Sequence, residues 1–157
     1  MPPSPPGAHK APALQRLIYY SQATFAAAQL DSALQDIVQA AIRNNHNAAV
    51  TSFLLTHQGW FLQALEGPKA SVTATFERIA ADPRHTAVKV IASRAAEQRC
   101  FAAWTLSARR LTAADDYTLA LFQQHERFDP ARLTARNALA LLMTASQKPA
   151  KEILWVN

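Results

Sequence analysis

Gln63 is the residue whose setting most needs explanation. It sits in GWFLQALEG (59–67), where a two-residue strand period puts Phe61, Gln63 and Leu65 on one face and Trp60, Leu62 and Ala64 on the other. Both faces are apolar, so the amide is expected to be buried. An unpaired buried amide group costs about 1–3 kcal/mol, so Gln63 requires a polar partner. The first strand offers a tyrosine hydroxyl, from Tyr19 or Tyr20; alternation alone does not choose between them. Asn44 and Asn45 fall at the end of a helical stretch, and Arg78 and Asp82 are four apart on another, hence on one helix face. These groups could border one crevice between helices and sheet. Their chemistry is hydrogen bonding. The enzymatic alternative, an arginine, His85 and Asp82 cluster, has no nucleophile beside a base and no phosphate-cradling glycine loop, with three glycines in all.

Each residue also has an ordinary structural explanation. The asparagines can end a helix, Arg78 and Asp82 can form an exposed ion pair, and Tyr19 and Trp104 can be core aromatics with satisfied polar atoms.

The elements that must position these groups follow from periodicity. LQRLIYYS (14–21) reads as a strand. Ser32 and Gln35 form a capping-box pattern ahead of Leu34, Ile37, Val38 and Ala41, which predicts a helix to about residue 45. AVTSFLLT (49–56) and WFLQALE (60–66) flank a short turn and suggest a hairpin. Pro68 suits the start of a second helix carrying Val72, Phe76, Ile79 and Ala80 inward, and Pro83 stops it. VKVIAS (88–93) and RCFAAWTLS (99–107) supply two more strands. The expected fold is α+β, a ferredoxin-like βαββαββ sheet with two helices on one face. Capping patterns at Thr112/Asp115 and Asp129/Pro130 introduce two further amphipathic helices, expected to cover the other face.

At 157 residues, half of them hydrophobic, the chain suits one domain. Residues 1–13 carry five prolines and read as a flexible leader. No run approaches a membrane span, and the expected location is cytoplasmic. The net charge of +5 is dispersed, with Arg109–Arg110 the one adjacent basic pair, which argues against nucleic-acid binding. Cys100 is the single cysteine, so neither an intrachain disulfide nor a cysteine-rich metal site is expected.

RLIYYSQ, RNN, VTSFLL, GWFLQALEG, ERIAADPRH and RCFAAWTL, in that order and spacing, resemble the BLUF domains, flavin-binding blue-light receptors. The resemblance covers about residues 14–107 and leaves 108–148 as a helical extension, like that of short stand-alone members, and 149–157 as a tail. It implies that Tyr19, rather than Tyr20, and Gln63 contact the flavin. It further implies that Asn44 and Asn45 bond its polar edge, that Ile37 and Ile79 sandwich the ring, and that Arg78, Asp82, Arg84 and His85 contribute polar contacts. Trp104 matches a tryptophan whose position tracks the signalling state. The chain has Ser52 where most relatives carry glycine, and Leu106 where methionine is usual. FAD is the implied cofactor, with FMN or riboflavin also compatible. The implied mechanism has Tyr19 donate an electron and a proton under light, after which Gln63 is rotated or tautomerised. Output would pass to an unidentified protein partner, with homo-oligomerisation expected. A BLUF-fold adaptor with lost photochemistry is the alternative.

Overall fold

The computed structural model describes residues 14–101, 106–122, 124, 127–147 and 153–156. Strands β1 (Leu14–Ala23), β2 (Thr51–His57), β3 (Trp60–Pro68), β4 (His85–Ala96), β5 (Leu106–Arg110) and β6 (Ile153–Val156) form one mixed sheet. Its order is β4-β1-β3-β2-β5-β6, with β2–β5 the parallel pair. Helices α1 (Leu30–Ala48) and α2 (Lys69–Ala80) follow β1 and β3; α3 (Asp116–Leu121) and α4 (Ala135–Ser146) follow β5. The ferredoxin-like α+β reading holds.

Strand alternation sorts the core. Leu54, Phe61 and Ala108 pack with Leu34 and Val38 of α1, while Leu17, Tyr19 and Leu65 pack with Val72 of α2. The opposite parity, Ile18, Phe53, Leu55, Leu62 and Ala64, packs with Leu119 of α3 and with Leu141 and Leu142 of α4. The C-terminal helices therefore cover the second face.

Several boundaries differ from expectation. Ser32 does not cap α1, because a 3₁₀ turn at Ala27–Gln29 leads the chain in and helix starts at Leu30. Ala80 is exposed. Arg99–Phe101 are not strand; β5 begins at Leu106, and residues 102–105 lie outside the described residues. Asp129 and Pro130 open only a 3₁₀ turn, and Thr134 caps α4 by accepting from the Asn137 N–H at 3.1 Å. β6 adds an edge strand within the segment read as a tail. The leader, 1–13, lies outside the described residues. Among the described residues no helix is long and apolar enough to cross a membrane.

Two local features hold the sheet in register. The β2–β3 turn has φ of +51° at Gln58 and +82° at Gly59, the left-handed pair of a tight hairpin. At Gly67 a Cβ would lie 2.8 Å from the Ala49 carbonyl oxygen, so only glycine lets the α1–β2 turn approach β3.

Arg109 of β5 is 1% exposed, paired with the buried Asp115 and donating to the Ala145 carbonyl at 2.9 Å. Asp115 also completes the Thr112 capping box. Asp115→Ala leaves a buried guanidinium charge without its counter-ion and is expected to cost about 3–5 kcal/mol in urea unfolding. The same change at the exposed neighbour Asp116 should fall within about 0.5 kcal/mol of wild type.

Candidate functional site

β1 and β3 are antiparallel neighbours, with Tyr19 directly opposite Gln63; Leu54 of β2 flanks Gln63 on its other side. Gln63 is 4% exposed and Tyr19 2%. The Tyr19 hydroxyl donates to Gln63 Oε1, which supplies the partner that the sequence demanded. Among the described residues, the Nε2 end of the amide has no partner. Burial pushes the Tyr19 phenol well above the ordinary tyrosine range, and the negative charge of Asp82 adds to the shift.

That amide lies in the wall of a crevice between α1 and α2, with a cavity volume of about 210 Å³. Both helices line it at the same spacing. Ile37, Ala40, Ala41 and Asn44 come from α1; Thr75, Arg78, Ile79 and Asp82 come from α2 and the turn after it. Each set follows i, i+3, i+4, i+7, the single face of a helix. Leu54 and Phe61 complete the sheet side. Small residues of α1 leave the space, and the two isoleucines give it aliphatic sides.

The segment after α2 is tied to β1. Thr24 N–H donates to the Arg84 carbonyl at 3.1 Å and its hydroxyl to the Pro83 carbonyl at 2.7 Å. Asp82 accepts the Arg84 backbone N–H at 2.9 Å and the Arg84 guanidinium through both oxygens. Those Arg84 hydrogen bonds outweigh partial burial and hold the Asp82 carboxyl below its usual range. Asp82 thus pairs with Arg84 rather than with Arg78, whose guanidinium donates to Thr75 Oγ1 at 3.2 Å.

His85 closes the back of the crevice. Its Nε2 meets the Ile79 carbonyl, an acceptor only, so that nitrogen carries the proton, and Nδ1, 2.8 Å from Ser21 Oγ, accepts from the hydroxyl. With both nitrogens engaged, the ring serves as a wall, edge-on to Phe61 at 6.0 Å and to Tyr19 at 6.3 Å between centroids.

Of the residues singled out in the sequence, Tyr19, Ile37, Asn44, Gln63, Arg78, Ile79, Asp82, Arg84 and His85 line this crevice. Ser52 is buried but does not line it; β2 contributes Leu54. Trp104 lies outside the described residues, as do the side chains of Asn45 and Leu106. Sequence reasoning missed Ala40, Ala41, Leu54, Phe61 and Thr75 as lining residues. Extending the helical stripes from Ile37 and Ile79 by three and four positions would have found the alanines and the threonine.

On the reverse face of β3, Glu66 is 1% exposed and accepts from Arg16 Nε at 2.7 Å, from Cys100 N–H at 2.9 Å and from Phe101 N–H at 2.8 Å. Arg99 donates to Thr51 Oγ1 and to the Glu66 and Ala49 carbonyls at 2.8–2.9 Å. The chain entering 102–105 is therefore anchored to the strand that carries Gln63. No group of three or more potential metal ligands is found among the described residues.

A family model for BLUF, described as sensors of blue-light using FAD, matches residues 14–107. Photoactivated adenylate cyclase subunit beta of Euglena gracilis is 39% identical over 110 residues, which cover 69% of this chain and 12% of that protein. The Euglena longa counterpart is 38% identical with the same coverage. The chain thus corresponds to a small part of these curated relatives. Among solved structures, BlsA in its ground state superposes with a TM-score of 0.75 at 27% identity, covering 87% of this chain and 91% of that one. BlrB in its dark state shares the fold, with a TM-score of 0.67 at 24% identity over 86% of this chain and 96% of that one. With a family match that spans most of the chain and a fold shared over its length, the chain belongs to the BLUF family, the blue-light sensors using FAD.

Proposed function

We propose that the crevice between α1 and α2 holds the isoalloxazine ring of FAD without a covalent bond, and that the protein is a blue-light receptor rather than an enzyme. The observation that carries this is the buried Tyr19–Gln63 pair with one end of the amide unpartnered at the crevice wall. The lining fits the group. A flavin ring has apolar faces and a polar edge; Ile37 and Ile79 offer aliphatic surface, while Asn44, Gln63 and Arg78 offer amide and guanidinium donors. The Asp82–Arg84 pair adds a fixed polar rim.

Bound flavin supplies absorption of blue light and an electron-accepting ring. The chain's own part is to control one proton and one amide. In the dark state Tyr19 Oη holds its proton and donates it to Gln63 Oε1. If the Gln63 amide turns end for end, Nε2 faces Tyr19 Oη as a donor, and Oε1 faces the crevice as an acceptor. The tyrosine can serve either arrangement, because a hydroxyl both donates and accepts. His85, with both nitrogens engaged, and the Phe76 ring edge-on to Tyr19 hold the tyrosine in place.

One or two exchanged hydrogen bonds are worth about 0.5–1.5 kcal/mol each. That shifts a two-state equilibrium about tenfold, far short of the ~10⁴-fold needed for an all-or-none switch. The output is therefore a changed affinity for a protein partner, and assembly of several copies would enlarge it. Anchors on the α4 face of the sheet support a route from β3 through Glu66 to the backbone of Cys100 and Phe101, and from Arg109 of β5 to α4.

The deciding experiment is an absorption spectrum of FAD-loaded protein before and after blue light. A small red shift that reverses in the dark is expected, and Tyr19→Phe and Gln63→Leu should each abolish it while retaining flavin. FAD-loaded wild-type protein without the shift would overturn the receptor reading.

A second prediction concerns the proton itself. Because the folded Tyr19 pKa is raised, its contribution to stability is complete below the unfolded value of about 10 and is lost as pH rises beyond it. Alkaline titration of phenolate absorbance should show no difference between wild type and Tyr19→Phe until unfolding. Stability of wild type should fall more steeply above about pH 10 than that of the variant.

A further inference from the structure

The face of the sheet opposite the crevice carries a positive cluster that is only partly compensated. Arg16 and Arg94 stand directly opposite each other in the antiparallel β1–β4 pair, a placement in which like charges repel. Glu66, opposite Arg16 on its other side, takes the Arg16 guanidinium at 2.7 Å. Arg136 joins them from the first turn of α4, where no acidic residue is present and a cation meets the positive end of the helix dipole. These three arginines line one cleft of about 150 Å³ with Ile18, Ala92 and Leu139. Arg94 and Arg136 are exposed, and neither meets a carboxylate among the described residues. Sheet register and helix dipole both work against this arrangement, and one buried carboxylate offsets only one of the three charges.

We propose that this cleft docks an acidic segment of a protein partner, with carboxylates on Arg94 and Arg136 and an intervening aliphatic side chain on Ile18 and Leu139. The chemistry of the lining selects that occupant. Guanidinium forks bind carboxylates in a bidentate manner, whereas the apolar lining gives a bare phosphate nothing to cover it. β4 is an edge strand of the sheet, so an extended segment can run along it and reach Arg94. The surface also connects to the photoactive strand: Arg16 is held by Glu66, three residues from Gln63, and Glu66 anchors Cys100 and Phe101. The inference names the partner surface of the receptor reading above and rests on it for its biological meaning.

The test uses the full chain in the dark and a fluorescein-labelled hexapeptide of alternating glutamate and leucine, followed by fluorescence anisotropy. Saturable binding is expected, weakened about tenfold or more by the double substitution Arg94→Glu/Arg136→Glu. The double substitution Lys69→Glu/Arg127→Glu changes the net charge equally at exposed sites outside the cleft and should leave affinity near wild type. Equal losses in both variants, or no saturable binding to wild type, would overturn the proposal. So would binding to phosphatidylserine vesicles that depends on Arg94 and Arg136 while peptide binding does not. Neither arginine lines the crevice, so the cleft variant keeps the reversible spectral shift. A wild type that binds peptide but shows no shift fails the receptor reading alone; a normal shift without peptide binding fails the docking alone.

Discussion

The hydrogen bond between Tyr19 and Gln63 constrains the rest of the structure because it places an amide inside an apolar sheet. Burial is tolerable only if a hydroxyl arrives at one definite position. That requirement fixes β1 beside β3 and sets their register, since a slip by one residue would turn Tyr19 to the opposite face and leave the amide unpaired. The crossover through α1, which joins β1 to β2 and leaves the position between them to β3, follows from that adjacency. The bond uses only one end of the amide. The other end faces the crevice between α1 and α2, and under the proposed function that is where the flavin edge lies.

Keeping two helices apart on one sheet runs against ordinary packing, which closes gaps larger than a water molecule. Here α1 presents alanines at 40 and 41 and α2 presents Thr75 on the facing stripe, small side chains that leave the space open. The cost is carried elsewhere. Leu34 and Val38 bind α1 to β2, β3 and β5, and Val72 binds α2 to β1 and β3, each in its own cluster. The ties from Thr24 to Pro83 and Arg84, together with the Asp82–Arg84 pair, fix the mouth independently of either helix body. A site with preformed walls loses little conformational entropy when it takes up a ligand.

Much of this was legible in the sequence, for identifiable reasons. Strand parity placed Gln63, Phe61 and Leu65 together, and a polar residue in an apolar strand marked the site because burial has a known cost. Helical spacing joined Arg78 to Asp82, although it could not show that Arg84, two residues beyond Asp82, would take the carboxylate. That preference depends on a turn whose shape is set by Pro83 and by the bonds from Thr24. The Ser32 pattern misled because a capping signature has no means of registering the 3₁₀ turn that starts the helix earlier. β6 was not legible: four residues far from their partner carry too little periodicity to announce a strand. The alternation that identified β1 could not separate Tyr19 from Tyr20, because both faces of the sheet are covered and both parities are apolar; only the ordered motif set decided it.

The same coverage of both faces bears on how a small change at Gln63 can be felt at a distance. A solvated reverse face would dissipate a shift of β3 into water, since exposed side chains relax independently. Here the reverse face is packed by α4 and pinned by Glu66, whose carboxylate holds the backbone leading toward β5. β5 in turn carries Arg109, fully buried and bonded both to Asp115 and to the last turn of α4. Charge-assisted bonds of this kind are short, directional and costly to break one at a time, so the elements they join move together or not at all. A signal worth only one or two hydrogen bonds cannot melt such a network. It can choose between two of its packed arrangements, provided they lie within about 1–2 kcal/mol of each other. The buried ionic anchors therefore act as the stiff members of the fold, and under the proposed function the Gln63 amide acts as the soft one.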